Sequence, residues 1–109
     1  MGATWLVCAG EGERAEVCAL VGRLVPGCQT IRSGDPVLAR SLASGLDPAP
    51  CVAVGAGLPV DPVNVAAAVA ADGRAPRVVL AVRGASGSLV SRAAKAGVTE
   101  VLDPREGVE

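Results

Sequence analysis

The sequence predicts an α/β fold in which one parallel sheet of five strands is covered by helices on both faces. Short apolar runs alternate along the chain with longer segments of helical periodicity. The strand segments are apolar at nearly every position, which is typical of strands buried on both faces. Strand-helix-strand units of this kind are right-handed and form a doubly wound sheet, for which we predict the flavodoxin-like strand order 2-1-3-4-5.

The predicted strands are short and mostly aliphatic. The second strand is the least apolar, so we place it near an edge of the sheet. In chain order, the predicted strands cover Thr4–Ala9, Cys28–Arg32, Cys51–Gly55, Arg77–Arg83 and Thr99–Leu102.

Capping and turn residues delimit the predicted helices. Asp35-Pro36 and Asp61-Pro62 each place a good N-cap before a proline at the first helical position. Pro26-Gly27 and Asp72-Gly73 are typical helix-ending pairs. The predicted helices run from Gly12 to Leu24, from Asp35 to Gly45, from Asp61 to Ala71, and from a cap at Ser86 or Ser88 to Gly97.

Apolar residues at helical spacing predict which side of each helix faces the sheet. In the second helix, Leu38 and Leu42 lie one turn apart. The predicted inward residues are Val17, Leu20, Val21 and Leu24 in the first helix, Val63, Ala66, Ala67 and Ala70 in the third, and Leu89, Val90, Ala93 and Ala94 in the fourth.

The end of the chain repeats a helix-start signal. Asp103-Pro104-Arg105-Glu106 has an N-cap, a proline and a glutamate at the position of a capping box, but only three residues follow. We therefore expect the fifth helix to be missing or truncated, and residues 1–109 to be a single domain at the amino-terminal end of a longer protein. Without that helix, the sheet face beside strands one and five would be bare, and a bare apolar face favours a partner.

Composition and charge exclude several classes of function. The net charge is −1, and the chain has one Trp and no Phe or Tyr, so it lacks the basic patch and stacking rings that nucleic-acid binding needs. No apolar run approaches the roughly 20 residues that span a bilayer, and the N-terminus lacks the positive start of a signal peptide. We expect a cytoplasmic protein that does not insert into membranes.

The residues that usually carry chemistry are also missing. There is no His and only one Lys, so the familiar nucleophile-base triads cannot be assembled. The four cysteines show no C-x-x-C spacing, which predicts buried, reduced thiols rather than metal ligands. Acidic residues never pair at two adjacent strand ends, so no Mg²⁺ site is expected. We predict no catalytic residues, no metal and no cofactor.

One glycine-rich turn offers an alternative. Gly10–Ala15 matches the pattern G-x-G-x-x-[GA] that follows the first strand of dinucleotide-binding folds, where backbone amides approach a pyrophosphate. In this alternative, a small-molecule or nucleotide-binding regulatory domain would use Gly10, Gly12 and Arg32, with Arg32 suited to a 2′-phosphate. The two glutamates of the turn would repel phosphate groups, and acids in a first helical turn also suit the helix dipole without any ligand.

Two segments resemble the receiver domains of two-component response regulators. Gly57-Leu58-Pro59 resembles the turn D-x-x-[LM]-P, and Lys95–Pro104 resembles E-A-G-A-x-x-[YF]-L-x-K-P. The resemblance covers essentially the whole chain and rests on pattern more than on identical motifs. It implies the flavodoxin-like, receiver-like fold described above.

The same resemblance implies loss of the receiver phosphorylation site. Receivers hold Mg²⁺ with an acid pair after strand one, accept the phosphoryl group on an Asp that ends strand three, and use a Thr or Ser that ends strand four and a Lys after strand five. Phosphoryl transfer needs such a nucleophile and metal clamp. The corresponding positions are Ala9 and Gly10 (or Gly10 and Glu11), Gly55, Ala81 or Val82, and Asp103.

A degenerate receiver at the start of a longer chain is similar to the amino-terminal domain of the TadZ/CpaE-type pilus-assembly ATPases, which are MinD-like. This resemblance implies a localisation and protein-interaction module with an ATPase domain after it. In receivers, the face formed by helix four, strand five and helix five commonly mediates dimers. Here we expect that face to include Leu89, Arg92 and Val101, and to contact a protein partner or a second copy in a homodimer.

Overall fold

The computed structural model describes residues 4–104 and contains one parallel sheet. Its strands are β1 (Thr4–Cys8), β2 (Gln29–Ser33), β3 (Cys51–Gly55), β4 (Val78–Ala81) and β5 (Glu100–Leu102). They lie in the order β2-β1-β3-β4-β5 and all neighbouring pairs are parallel. The predicted fold class and strand order are confirmed.

Four helices connect the strands within residues 4–104: α1 (Arg14–Leu24), α2 (Pro36–Gly45), α3 (Pro62–Asp72) and α4 (Gly87–Lys95). None of these helices is long and apolar enough to cross a membrane. The helix-start signal after β5 continues beyond Pro104, so the expected truncation of a fifth helix lies outside the described residues.

The predicted N-caps form hydrogen bonds. The Asp35 carboxylate accepts from the Val37 amide at 2.9 Å, and the Asp61 carboxylate accepts from the Val63 amide at 2.9 Å. In α4 the Ser86 hydroxyl oxygen accepts from the Leu89 amide at 3.1 Å, so Ser86 and not Ser88 is the cap. These bonds satisfy amides that a helix leaves without partners at its start.

Several predicted boundaries were wrong by one or two residues. The first helix begins at Arg14 instead of Gly12, because the residues before it form a turn and Glu13 makes no side-chain capping bond. β2 begins one residue later than predicted, so Cys28 lies outside the strand. β4 excludes Arg77 and Arg83. The geometry of the turns determines where these helices and strands begin and end, and the spacing of apolar residues does not predict that geometry.

The sheet separates two layers of small aliphatic side chains. On one face, α1 covers a cluster centred on Trp5, Val7, Val79 and Ala81. On the other face, α2, α3 and α4 cover Leu6, Val52, Val54, Val78 and Leu80. The strand residues alternate between the two layers because successive side chains of a strand point to opposite faces.

The inward faces of three helices differ from the prediction. In α2, Ala39 and Ala43 are buried, whereas Leu38 is 50% exposed. In α4 only Ala93 is buried, and Val90 and Ala94 are exposed. In α3, which packs between α2 and α4, the buried set also includes Val65 and Val69. The alanines allow close approach to the sheet, so they are buried in preference to larger residues beside them.

The expectation of a bare strip beside strands one and five depends on the fifth helix, which lies outside the described residues; the strand side chains on this side of the sheet are buried. Trp5 is only 1% exposed, and Val79 and Ala81 are buried next to it. The Arg77 guanidinium lies over the Trp5 ring, 5.6 Å from its centroid, and also pairs with Glu100 on β5. A cation stacked on a ring in this way is attracted by the electrons of its face.

Core position, and not hydrophobicity alone, sets the cost of truncating a leucine in this fold. We expect Leu80→Ala, in the buried centre of β4, to lower the free energy of unfolding by about 2–5 kcal/mol. Leu38→Ala on the exposed side of α2 is expected to change it by less than about 0.5 kcal/mol. Urea denaturation of both variants measures the difference, and equal costs would contradict the observed orientation of α2.

Candidate functional site

The positions that correspond to a phosphorylation site all reach one edge of the sheet. Ala9 and Gly10 follow β1, Gly55 ends β3, Ala81 ends β4, and Asp103 follows β5. Gly55 and Ala81 are paired in register, and the Ala81 partner on β5 is Leu102, which precedes Asp103. The carboxyl ends of parallel strands are where ligands bind in such folds. The structure therefore brings the predicted positions together.

The backbone fills the space beside Gly10. The Gly10 amide donates to the Ala56 carbonyl oxygen at 2.9 Å, so the loop after β3 lies directly against the loop after β1. A Cβ added to Gly10 would lie 2.7 Å from the Gly57 Cα and closer still to the Gly57 carbonyl oxygen. No side chain fits at position 10 unless the β3–α3 loop moves.

Gly55 is enclosed in a similar way. An added Cβ would lie 2.8 Å from Val17 Cγ2 and 2.9 Å from Ala9 Cβ. Val17 is a fully buried residue of α1, so it cannot swing aside as a surface side chain would. The absence of a side chain at position 55 allows α1 to pack closely on β1 and β3.

A cleft of about 160 Å³ remains at this edge. It is lined by Glu13, Glu16, Ala56, Ala81, Val82, Arg83 and Pro104. The Arg83 guanidinium donates two hydrogen bonds to the Glu16 carboxylate, from Nε at 2.9 Å and from Nη2 at 2.6 Å. Sequence reasoning missed this pair, because the two residues are 67 positions apart and each is unremarkable in its own segment.

Charges around Arg83 favour its protonated form. The hydrogen bonds that Arg83 donates to Glu16 raise the pKa of Arg83, and the negative charges of Glu16, Glu13 and Asp103 act in the same direction. Asp103 also accepts a hydrogen bond from the Gly84 amide at 3.0 Å. Asp103 thus fixes the residue that follows Arg83.

The residues at this edge do not fit a divalent cation. Ala9, Gly10 and Gly55 supply no oxygen ligand from a side chain, and Arg83 brings a positive charge into the cleft. Within residues 4–104, no group of three or more His, Cys, Asp or Glu side chains could hold a metal ion. Mg²⁺ binds through carboxylates and substrate phosphates, which this edge does not present together.

The glycine-rich turn uses its backbone groups internally. The Gly10 carbonyl oxygen accepts from the amides of Glu13 at 3.1 Å and Arg14 at 3.0 Å, and the Gly10 amide is bonded to Ala56. Gly12 is exposed, and an added Cβ there would meet nothing within 4 Å. Arg32 is exposed on the edge strand β2, opposite Val7. Three of the amides that would face a pyrophosphate in the alternative function already have partners.

The predicted interface residues differ in exposure. Arg92 is exposed and donates a hydrogen bond to Asp61 at 3.0 Å, which links α4 to the start of α3. Leu89 and Val101 are half-buried and pack against the core under α4. Val90 is an exposed large apolar residue on this face.

A second apolar surface lies between α2 and α3. Val37 is 78% exposed and Val60 is 48% exposed, and both line a groove of about 270 Å³ with Pro36, Arg40, Asn64, Val65 and Ala68. The sequence did not predict this groove. Two adjacent apolar residues at the start of α2, Val37 and Leu38, were the available signal.

The cysteines contribute no reactive group to this edge. All four are free, Cys8 is buried, and the other three are half-buried. Burial raises the pKa of the Cys8 thiol to about 11, and the negative charge of Asp35 adds to the shift. The pKa of the Cys51 thiol is also raised by burial. A thiol with a raised pKa is a poor nucleophile at neutral pH.

Solved structures of receiver domains share this fold. The receiver domain of a sensor histidine kinase from Pseudomonas aeruginosa PAO1 has a magnesium ion coordinated in its active-site cleft; it is 18% identical, with a TM-score of 0.72 over 94% of this chain and 85% of that one. A response regulator receiver domain from Rhodospirillum rubrum is 16% identical, with a TM-score of 0.72 over 93% and 80%.

A pilus assembly protein (cpaE) from Burkholderia thailandensis E264 is also similar. It is 23% identical, with a TM-score of 0.67 over 94% of this chain and 89% of that one. No protein-family model matches the sequence, and no curated protein matches it significantly. These likenesses show that the chain has the fold of a response-regulator receiver domain, as its motifs predicted.

A pair of glycines in the same loop tests the closed strand edge. We expect Gly10→Ala to lower the free energy of unfolding by about 1–3 kcal/mol, because the new methyl group overlaps the Gly57 backbone. Gly12→Ala is the matched control, since it adds the same group in open space. Thermal and urea unfolding measure both, and a well-tolerated Gly10→Ala would contradict the close contact.

Proposed function

We propose that this chain is a non-catalytic, receiver-like interaction module that cannot be phosphorylated. The observation that carries the proposal is the contact between the Gly10 and Gly57 backbones, which leaves no room for an acid pair after β1. Gly55, at the acceptor position, cannot gain a side chain without displacing Val17. The receiver fold supports the claim that the module is receiver-like. The filled space at Gly10 and Gly55 supports the claim that it cannot be phosphorylated.

A module that catalyses no reaction acts through contacts on its surface. The α4–β5 face is the proposed interface, with Leu89, Arg92 and Val101 at its centre and Val90 as its exposed apolar residue. The occupant is a protein partner, or a second copy in a homodimer. Apolar residues surrounded by charged ones are typical of such surfaces.

The proposed setting is the assembly of a pilus in the cytoplasm. The support is the similarity to the pilus assembly protein of Burkholderia thailandensis over 94% of this chain. In this setting the domain contributes to localisation and precedes an ATPase domain in the full protein. No membrane insertion and no nucleic-acid binding form part of the proposal.

Incubation with a phosphoryl donor directly tests the claim that the chain cannot be phosphorylated. We expect no gain of a phosphoryl group when the protein is incubated with acetyl phosphate and Mg²⁺, as measured by intact mass spectrometry next to an active receiver domain. Gly55→Asp restores the acceptor residue type but not the space or the metal ligands, so it is also expected to remain unmodified and to unfold more easily. An aspartyl phosphate on the wild-type chain would refute the proposal.

Measurements of self-association test the proposed α4–β5 interface. We expect a concentration-dependent dimer in sedimentation velocity, and we expect Val90→Asp to weaken it by about tenfold or more, because a charge would enter an apolar contact. Val37→Asp places the same charge on another exposed valine, in the α2–α3 groove, and is expected to leave the dimer intact.

The reverse pattern would assign the interface to the groove instead of the α4–β5 face. A chain that stays monomeric at all concentrations would contradict the homodimer and leave a different protein as the partner.

A further inference from the structure

Two depressions lie next to each other between α2 and α3. The groove of about 270 Å³ described above adjoins a second depression of about 410 Å³, because Val37 and Arg40 line both. We call the two together the α2–α3 trough. It follows both helices, since its lining residues recur every four positions: Pro36, Arg40 and Ser44 on α2, and Asn64, Ala68 and Asp72 on α3.

The groove exposes apolar side chains to water. Val37 and Val60 are among the exposed large apolar residues of the described chain, and both line this groove. Its volume of about 270 Å³ lies below the roughly 300–1,000 Å³ of small-molecule pockets. The groove therefore fits side chains of a protein surface better than it fits a nucleotide.

The charges in the trough indicate which protein surface fits. Among the described residues that line it, Arg40 and Asp72 are the charged ones. Arg40 donates two hydrogen bonds of 2.8 Å to Asp72, from Nε and from Nη2. These bonds lower the pKa of Asp72, so both residues are charged at neutral pH. The trough thus has one positive and one negative group side by side, and no net charge.

This ion pair remains accessible to a further contact. The Arg40 and Asp72 side chains are 53% and 24% exposed. A guanidinium has five N–H groups and this pair uses two, so Arg40 can bind a second carboxylate without losing the first. In a twofold contact between identical surfaces, each residue meets its counterpart's neighbour in both directions. A surface with one cation beside one anion is therefore complementary to itself.

We propose that the α2–α3 trough binds a second copy of this chain about a twofold axis, with Arg40 of each copy against Asp72 of the other. Val37 and Val60 lie within the contact and leave water. This contact goes beyond the proposed function and does not rest on it, since α3 packs between α2 and α4. Few apolar side chains take part, so we expect a weak contact, with a Kd on the order of 0.1–1 mM.

A chain with two self-binding surfaces assembles beyond a dimer. Where the α4–β5 face holds one copy and the trough holds another, each chain has two neighbours. Two different twofold contacts of this kind lead to a tetramer or to an open row of copies. Because the second contact is weak, such growth depends on a high local concentration of the chain.

The apolar part of the contact is tested in the Val90→Asp variant, in which the proposed α4–β5 contact is disrupted. We expect the NMR signals of trough residues in this parent variant to shift with protein concentration up to about 1 mM. Adding Val37→Asp is expected to weaken the association by about tenfold or more, because a charge enters an apolar contact. Leu38→Asp is the matched control, since Leu38 is also exposed but does not line the trough.

The charged part of the contact is tested by charge reversal in the same parent. Arg40→Asp leaves two negative charges in the trough, and Asp72→Arg leaves two positive charges. We expect each variant alone to associate about fivefold more weakly or less, because like charges meet in both halves of the contact. An equimolar mixture of the two is expected to associate at least as strongly as the parent, because opposite charges then meet in both halves.

Sedimentation equilibrium measures all of these affinities, and thermal unfolding checks that each variant is folded. The double variant Arg40→Asp with Asp72→Arg is expected to self-associate like the parent. This result would separate the contact between copies from any effect of breaking the ion pair within one copy.

Three results would overturn the inference. No association of the parent at about 1 mM would show that the trough does not bind a second copy. Equal effects of Val37→Asp and Leu38→Asp would remove the trough from the contact. A mixture that associates no better than its two components would contradict the twofold arrangement of Arg40 and Asp72. Failure of the proposed function is a separate result, because neither phosphorylation nor the α4–β5 face is measured here.

Discussion

The contact between the Gly10 and Gly57 backbones determines what the carboxyl edge of this sheet can do. The Gly10 amide is bonded to Ala56, and a methyl group on Gly10 would overlap the neighbouring loop. A backbone contact of this kind cannot be relieved by a change of rotamer. The first and third strand-end loops are therefore held together, and a side chain at position 10 would overlap the loop after β3.

Ion pairs and hydrogen bonds also hold the loops at this edge in place. Arg83 joins Glu16, Gly84 joins Asp103, and Arg92 joins Asp61, so the β4–α4 segment, the end of β5 and the start of α3 are each tied to another element. Under the proposed function, these ties make the fold a rigid platform, and its α4–β5 and α2–α3 surfaces are the places available for contacts.

The sequence was sufficient for the topology because the local signals agreed with each other. Strand-helix alternation, doubly apolar strands and caps such as Asp35, Asp61 and Ser86 all indicate one fold. It was insufficient for the site because the decisive contacts are long-range. Gly10 is typical of any tight turn until Gly57 is placed beside it, and the Arg83–Glu16 pair is visible only once α1 packs near the end of β4. The prediction of the inward face of α2 was wrong because Ala39 and Ala43 approach the sheet more closely than a leucine could.

The most direct measurement of the central claim is an NMR titration of the ¹⁵N-labelled chain with beryllofluoride and Mg²⁺. Beryllofluoride imitates a phosphoryl group on a carboxylate, so it reports on space, acceptor and metal ligands together. The closed edge predicts that the amide signals of Gly10, Gly57 and Ala81 stay in place throughout the titration. Saturable shifts of these three signals would contradict it, because they would require the loops after β1 and β3 to separate and admit the ligand.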